Sequence, residues 1–433
     1  MPADDDAAVA AEFDDLAGWC EDSSPLYERL CAIAATDAFL LDVAADHTPG
    51  QPAPQLLLAA IQAALFASDD ADDPGTVDGS LAAYYPSVVD DARDPDDALA
   101  DAVRAFVRTN ETTVRDHVRS RRVQTNAVRR CSALYPGYAT VAERVDAPLA
   151  ILEVGSSAGL NLNWDRYRYA YRSEHEDAAG DDVREHVVGD ADAPFTVTSD
   201  LRGDAVPPLP SDPPAVAGRV GVDVNPLDST ELVDARWLRS LVWPEHRDRR
   251  RVLDGALAVA RDHPPDVVEG DAVIDLHAVA DHLPADAPLV VAHSLVLYQF
   301  DDDAREAFHD AVAALAAKRD APTYHLAGER PDPDRENGIQ LRLARVDATD
   351  SRAVDATDSR AVETDSRAVD ATDSRAVDAT DSRAVDATDS RAVESEHLGT
   401  FEQHGAWVAW RDANDRTDAP ENADGQAVVH EDV

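Results

Sequence analysis

The sequence of 433 residues carries a formal net charge of −47, because 86 Asp and Glu residues outnumber 39 Lys and Arg residues. A chain this acidic is a poor match for nucleic acids and for anionic membrane surfaces, which attract cationic proteins. Hydrophobic residues make up 44% of the chain, enough for a buried core, so global disorder is excluded. No apolar run reaches the roughly 18 residues that cross a bilayer, and we expect a cytoplasmic protein without membrane segments.

The acidic residues are spread along the whole chain, and Lys318 is the only lysine. Such a charge should destabilise a compact state in dilute buffer through self-repulsion. At molar salt the Debye length falls to about 3 Å and the repulsion is largely screened. The composition therefore indicates adaptation to a salt-rich cytoplasm. The alternative, an acidic surface for one partner, predicts a single acidic block.

The cysteine and histidine spacings indicate neither a disulfide framework nor a metal site. Cys20, Cys31 and Cys131 are odd in number and far apart. His277 and His282 are five residues apart, which differs from the i, i+4 spacing of a helical zinc motif. We therefore expect no metal and a reducing compartment.

The first 145 residues predict a helical N-terminal domain. Apolar residues recur at helical spacing over residues 27–43, 55–67 and 99–134, separated by loops rich in Pro and Asp. On a helix over 99–134, one face would carry Arg115, Arg119, Arg122, Asn126 and Arg129. This stripe either forms salt bridges with nearby acids or lines a pocket, where it would bind a carboxylate or phosphate.

From residue 146 onward the pattern changes to short apolar strands that alternate with helices. The candidate strands cover residues 149–154, 220–224, 267–269, 289–292 and 323–327. This alternation predicts an α/β domain with a parallel sheet over residues 146–346, completed by residues 394–411.

Residues 347–393 form a tandem repeat of Asp-Ala-Thr-Asp-Ser-Arg-Ala-Val, with one shortened copy. Each unit has one sizeable apolar residue and cannot build a core, so we expect a disordered insertion. The alternating strand pattern of Ile339–Arg345 and the apolar run Ala406–Trp410 suggest that the repeat lengthens the loop of one antiparallel hairpin. Residues 412–433 are expected to be a polar, acidic tail.

A glycine-rich turn follows the first predicted strand, in the sequence Glu153-Val-Gly155-Ser-Ser157-Ala-Gly159-Leu-Asn161. It resembles motif I of class I methyltransferases that use S-adenosylmethionine (SAM), with Ser157 in the position of the middle glycine. The resemblance implies a Rossmann-like sheet in which Glu153, Gly155, Ser157 and Gly159 hold the amino-acid end of SAM. Asn161 is a further candidate for cofactor binding.

Later elements follow the same order. Asp223 ends the second strand of the predicted parallel sheet, where the family's acid binds the ribose, and Asp271 follows the third strand on the adenine side. Ser294 and Tyr298 follow the fourth strand at its substrate-facing end. In open α/β sheets, ligands bind at the carboxyl ends of strands, where these residues are expected. The long segment between Glu153 and Asp223 must then be an insertion.

Two other functions remain open. The same turn matches Gly-x-Ser-x-Gly, which makes Ser157 a possible nucleophile of a serine esterase. That interpretation lacks a strand-rich upstream half, and no Gly-Gly dipeptide is available for the family's oxyanion loop. A non-catalytic ligand-binding or interaction module with a Rossmann-like fold is the third possibility.

The acceptor of a methyltransferase is not specified by the sequence; it could be a small molecule or a macromolecule. Arg122 and Asn126 on the arginine stripe, and Tyr167 in an alternating Tyr/Arg segment, are candidate substrate contacts. The alternatives are salt bridging for the stripe and a half-buried strand for the tyrosines. His293 is a candidate general base, or a hydrogen-bonded core histidine.

Over most of its length the sequence is similar to an uncharacterised prokaryotic family, domain of unknown function 2332. The similarity rests on seven short segments, which are Ser24–Leu30, Tyr85–Ser87, Gln124–Asn126, Glu153–Tyr169, Asp223–Asp228, Arg236–Leu238 and Leu241–Glu245. It implies a shared fold and transfers no activity.

The first testable prediction concerns salt. We expect cooperative folding in multimolar KCl and loss of helical signal as the salt is removed, because screening of the −47 charge is lost. Far-ultraviolet circular dichroism across a KCl titration measures this. A spectrum that does not change on desalting would contradict the salt-adaptation interpretation.

Overall fold

A computed structural model describes residues 2–21, 23–69, 81–124, 126–177, 180–330, 338–346 and 395–412. Within these ranges the N-terminal part is helical, as predicted. Its helices are α1 (Pro2–Cys20), α2 (Pro25–Ala34), α3 (Ala38–Ala44), α4 (Ala53–Asp69), α5 (Leu99–Thr109), α6 (Glu111–Ser120) and α7 (Cys131–Val145). The helix predicted over 27–43 is two helices, because the Asp37 carboxylate accepts the first free amides of α3 and caps it.

The single helix predicted over 99–134 is wrong. It is divided among α5, α6, a 3-10 helix (Val128–Arg130) and α7, and residues 121–124 are not helical. The arginine stripe is therefore not one helix face. Arg115 instead forms ion pairs with Asp42, Asp46 and Glu111, which is the salt-bridging alternative.

The α/β part of the described chain contains one mixed sheet. The five predicted parallel strands are confirmed as β1 (Leu149–Val154), β5 (Val216–Asp223), β6 (Val267–Glu269), β7 (Leu289–Ser294) and β8 (Thr323–Glu329). The others are β2 (Arg168–Asp177), β3 (Gly180–Gly189), β4 (Thr196–Arg202), β9 (Ile339–Val346), β10 (Ser395–Phe401) and β11 (Trp407–Trp410). Their order is β3-β2-β4-β11-β10-β9-β8-β7-β1-β5-β6.

The parallel region has a topological switch point beside β1. The chain runs outward from β1 through β5 to β6, then returns to place β7 and β8 on the other side of β1. Connecting helices are α8 (Leu232–Ser240), α9 (Arg247–Asp262), α10 (Leu276–Ala280) and α11 (Asp302–Ala316). Where the strand order reverses in this way, the carboxyl ends of the strands leave a crevice.

The long segment between β1 and β5 extends the far end of the sheet. It supplies β2, β3 and β4, and β4 pairs in parallel with β11. Along β2, Tyr169 and Tyr171 are fully buried whereas Arg168 is exposed. The alternation in this segment therefore reflects a half-buried strand, and tyrosine packing fixes it on the sheet.

The predicted closing hairpin has a different partner. β9 pairs antiparallel with β10, and the predicted partner strand, β11, pairs with β10 on its other side. The sequence over 347–394 thus connects two neighbouring antiparallel strands. The repeat itself and residues 413–433 lie outside the described residues.

Hydrophobic packing covers both faces of the central strands. On β1, Leu149 and Ile151 pack in one core with α7 and α9, whereas Leu152 and Val154 pack in another with α10 and α11. The N-terminal helices form a third core of their own. Across the described ranges, no helix has the length and apolarity that crossing a membrane requires.

Gln62 joins the helical part to the α/β part. This fully buried side chain lies on α4, and its amide nitrogen donates to Ser240 O and Val242 O, both at 2.8 Å. Its amide oxygen accepts from the Ser87 hydroxyl at 2.7 Å. Because buried carbonyls must find donors, this one side chain fixes α4 on the end of α8.

We expect Gln62→Ala to lower the free energy of unfolding by about 2 kcal/mol, because two buried carbonyls lose their donor. Urea unfolding at constant KCl measures the change. The control is Ser68→Ala on the exposed side of α4, whose hydroxyl bonds only within its own helix. Equal stabilities of the two variants would show that Gln62 does not anchor the helices.

Candidate functional site

The turn after β1 has a backbone that only certain residues adopt easily. Gly155 and Gly159 both have φ +67°, and Ser157 has φ +54°. A Cβ atom at Gly155 would lie 2.5 Å from Val296 Cγ2, so a side chain there would displace Val296. The Gly155 amide donates to Val222 O at 2.8 Å, which holds the turn against β5. The helix that follows is a 3-10 helix, Leu160–Arg166.

The carboxylate of Asp223 joins three segments at the carboxyl edge of the sheet. One oxygen accepts the Ser157 amide at 2.8 Å. The other accepts the Asn225 amide at 2.8 Å and the Gln124 side-chain nitrogen at 3.4 Å. Gln124 belongs to the non-helical segment after α6 and also donates to Asn225 O at 2.8 Å. The turns after β1 and β5 are therefore held together by one charged group.

A cleft of about 790 Å³ opens above this edge, a size ordinary for small-molecule sites. Its floor is formed by the turns after β1, β5, β6 and β7. The N-terminal helices and the loop between them provide the cover, including Trp19, Tyr27, Gln51 and Gln55. The side wall is completed by Trp243, His246, Arg249, Gln403 and His404.

Seven of the thirteen residues predicted from sequence line this cleft. They are Gly155, Ser157, Asp223, Asp271, Arg122, Ser294 and Tyr298. The remaining six lie outside its lining and are Glu153, Gly159, Asn161, Asn126, Tyr167 and His293. The structure therefore brings about half of the predicted site residues to one cleft.

Glu153 and Asn161 lie beneath the turn. Glu153 is 5% exposed, and burial raises the pKa of its carboxyl to about 8, although a hydrogen bond from Asn161 opposes the shift. Asn161 accepts from the Cys131 thiol at 3.4 Å. A Cβ at Gly159 would lie 2.7 Å from Pro265 and from Val267, so this glycine permits packing against β6. In this structure these residues shape the turn.

Asn126 and Tyr167 also support the turn. The Asn126 side chain donates to Ser156 O at 2.8 Å. Tyr167 is completely buried, and its hydroxyl donates to Leu160 O. The structure thus places Tyr167 in the core, against the expectation of an aromatic substrate wall.

His293 does not face the cleft, which corrects the expectation of a general base there. Its Nδ1 lies 2.7 Å from a Glu329 oxygen and its Nε2 lies 2.8 Å from His325 Nε2, on the side of the sheet that packs against α11. Its neighbour Ser294 faces the cleft, because successive strand residues point to opposite faces.

Glu329 shapes the cleft through this network. The same carboxylate oxygen that meets His293 accepts the amides of Val296 and Leu297 at 2.8 and 3.1 Å. Burial favours its protonated form, but these hydrogen bonds prevail and hold the pKa of Glu329 below its ordinary value. The turn that contains Leu295, at φ +56°, is therefore fixed from beneath by a charged group.

A group of basic residues in the cleft wall was not identified from sequence. It comprises Arg130, Arg249, His246 and His404. Arg130 donates to Gln403 O at 2.9 Å and to Ser294 O at 3.1 Å. Arg249 lies 3.0 Å from His246 Nδ1. Arg130 follows Arg129 of the arginine stripe directly, but no periodicity relates it to Arg249 or His404, so the sequence carried no signal for the group.

The chain belongs to the family described as "Uncharacterized protein conserved in bacteria (DUF2332)", whose model matches residues 10–410. This confirms the family resemblance drawn from the sequence. A comparison with curated proteins finds no match. The family has no described activity, so the residues of the cleft are the evidence for the function of this chain.

Glu153→Gln should flatten the pH dependence of stability. The folded-state pKa of about 8 lies above the ordinary value of 4.5, so between these values the folded protein holds a proton that the unfolded chain has released. Stability should therefore fall as the pH rises from about 5 to about 8, by on the order of 4 kcal/mol.

Urea unfolding at several pH values between 5 and 9 measures this slope. Glu143→Gln, an exposed position on α7, is the control and should keep the wild-type slope. An unchanged slope in Glu153→Gln would show that another group causes it.

Proposed function

We propose that this protein binds SAM in the cleft and transfers its methyl group to an acceptor, either a small molecule or a macromolecule. One observation carries the proposal. Gly155, Ser157, Asp223 and Asp271 were selected from sequence for three different parts of SAM, and all four line one cleft. The carboxyl ends of β1, β5 and β6 bring them there, although they are far apart in the chain.

The strand order supports the same proposal. Counted along the chain, the parallel strands follow the order third, second, first, fourth, fifth, which is the arrangement of doubly wound nucleotide-binding sheets. We take the fold to be a Rossmann-like sheet of the class I methyltransferase type, closed by β9 and β10 and covered by a helical N-terminal domain. The β2–β4 extension and the short 3-10 helix after the turn are departures from that type.

The polar groups on the cleft floor fit SAM. Ribose hydroxyls and the adenine amino group are donors and need acceptors. Asp223 uses three of the roughly four acceptor positions of a carboxylate. Asp271 uses Oδ1 to accept the amides of Val273 and Ile274, and no described residue donates to its Oδ2. Val222, Val224 and Ala272 add apolar surface beside them.

SAM supplies an electrophilic methyl group, so the protein's task is to hold donor and acceptor in line and to exclude water. In the proposed arrangement, the turn at Gly155 and Ser157 holds the amino-acid end. Asp223 holds the ribose and Asp271 the adenine. The helical cover would enclose the acceptor and set specificity.

A serine hydrolase is the second candidate, and the strained backbone at Ser157 favours it, since nucleophile elbows place their serine on such a turn. The nucleophile also needs a base. Among the described residues, nothing hydrogen-bonds to the buried Ser157 hydroxyl, and His293 points to the other face of the sheet. This candidate therefore has less support than methyl transfer. A non-catalytic binding module would use the same cleft.

Calorimetric titration of SAM in high KCl tests the proposal. We expect micromolar binding, weakened at least about tenfold by Asp223→Asn, or roughly 1.4 kcal/mol. Asp228→Asn is the matched control: it also accepts the amide two residues ahead, from Thr230, but is absent from the cleft lining.

The alternatives give different results in the same preparation. If SAM does not bind, and a fluorophosphonate labels the wild-type protein but not Ser157→Ala, the protein is a serine hydrolase and the methyltransferase proposal fails. Failure of both would leave the binding module.

A further inference from the structure

Arg130 and Arg249, in the cleft wall, are not paired with acids in the way that several other arginines of this chain are. Arg219 pairs with Asp165, and Arg121 pairs with Asp234. In contrast, Arg130 is only 9% exposed, and neither Arg130 nor Arg249 forms an ion pair with an acid in the described part of the chain. Among the described residues, the buried Arg130 and the half-buried Arg249 therefore have no acidic partner.

The surroundings do not neutralise these charges. Arg129 adds a third guanidinium, whose buried Nε has no partner among the described residues. The carboxylates of Glu402 and Glu329 act on Arg130 at longer range. Glu402, however, already accepts the His404 and Ala406 amides, and Glu329 already bonds with His293. Glu153, with a pKa of about 8, is mostly uncharged at neutral pH. The three guanidinium groups therefore have only two charged carboxylates near them among the described residues, and both carboxylates already accept other hydrogen bonds.

The positive charges in this part of the cleft wall lie close enough together to lower the pKa values of neighbouring basic side chains. Burial, together with the charges of Arg130 and Arg129, lowers the pKa of Arg249 to about 10. Burial and the charges of Arg249, Arg130 and Arg129 lower the pKa of His404 to about 2, so this imidazole is neutral. Its buried Nδ1 has no hydrogen-bond partner in the described structure.

An uncompensated buried charge is strongly destabilising. We propose that Arg130, Arg249 and His404 form an anion site that binds an oxyanion group, phosphate or carboxylate, of the acceptor substrate. The assignment to an acceptor rests on the proposed methyl transfer; the anion site itself does not. Ser294, whose hydroxyl lies 3.3 Å from Arg130 Nη1, and Tyr298 also line the cleft and would offer hydroxyls to the ligand.

The geometry of guanidinium favours an oxyanion over chloride. Its planar fork of N–H groups matches two oxygens of one phosphate or carboxylate, whereas a monoatomic ion meets it at one point. The preference for an oxyanion over chloride is important in the salt-rich medium expected from the composition. Two guanidinium groups in one site would retain this preference for an oxyanion when chloride is abundant.

Calorimetric titration with inorganic phosphate at pH 8, in the KCl concentration that keeps the protein folded, tests the site. We expect saturable binding at one site, weakened at least about tenfold by Arg249→Met. The control is Arg251→Met on the same helix, an exposed residue paired with Asp248, which should bind phosphate as wild type does. Arg249→Lys keeps the charge without the fork and should be intermediate.

A thermal melt separates the site from a structural role. Arg249→Met should unfold at the same or a higher temperature than wild type, because it removes a half-buried charge that has no acidic partner among the described residues. A lower unfolding temperature with unchanged phosphate affinity would mean that Arg249 only supports the fold, and would overturn the proposal.

Three anions and SAM complete the test. Acetate or sulfate binding in place of phosphate, with the same dependence on Arg249, would support an oxyanion site and identify its chemistry. No binding of any of the three would overturn the site. Displacement of phosphate by SAM would overturn its assignment to the acceptor. Phosphate binding without any SAM binding would leave the anion site standing while the methyltransferase proposal failed.

Discussion

The carboxylate of Asp223 is the interaction on which the cleft depends. It fixes the amide of Ser157 to the end of β5 and draws Gln124 from the helical cover towards the same point. Without it, the turns after β1 and β5 would lose the side-chain link between them, and the cover would lose a polar contact with the sheet. A carboxylate in this position both builds the floor of the cleft and presents acceptor oxygens to a ligand.

Charge is distributed unevenly between the surface and the cleft. The surface carries the excess of acid, and exposed or half-buried arginines such as Arg115 are paired with it. The cleft wall, in contrast, carries positive charge from Arg130 and Arg249. An acidic exterior around a basic pocket would repel anionic macromolecules while the pocket attracts a small anion at short range, since screening weakens the surface field beyond about a Debye length.

The parallel strands were predictable because strands buried on both faces read as continuous apolar runs. The end of α6 at Ser120 was not, since no Pro or Gly marks it. Gln124, in the non-helical segment that follows, bonds with Asn225. His293 and Ser294 were both assigned to the site, although adjacent strand residues cannot face one cleft. Arg249 and His404 were missed because only the folded chain brings them near Arg130.

The central claim is that the turns at the carboxyl edge of the sheet bind SAM. Hydrogen–deuterium exchange in high KCl, with and without SAM, tests it most directly. The account predicts slower exchange on SAM addition in residues 154–158, 223–225 and 270–272, with little change in the distant strands β2 and β3. Protection confined to other segments, or unchanged exchange at all three turns under saturating SAM, would contradict it.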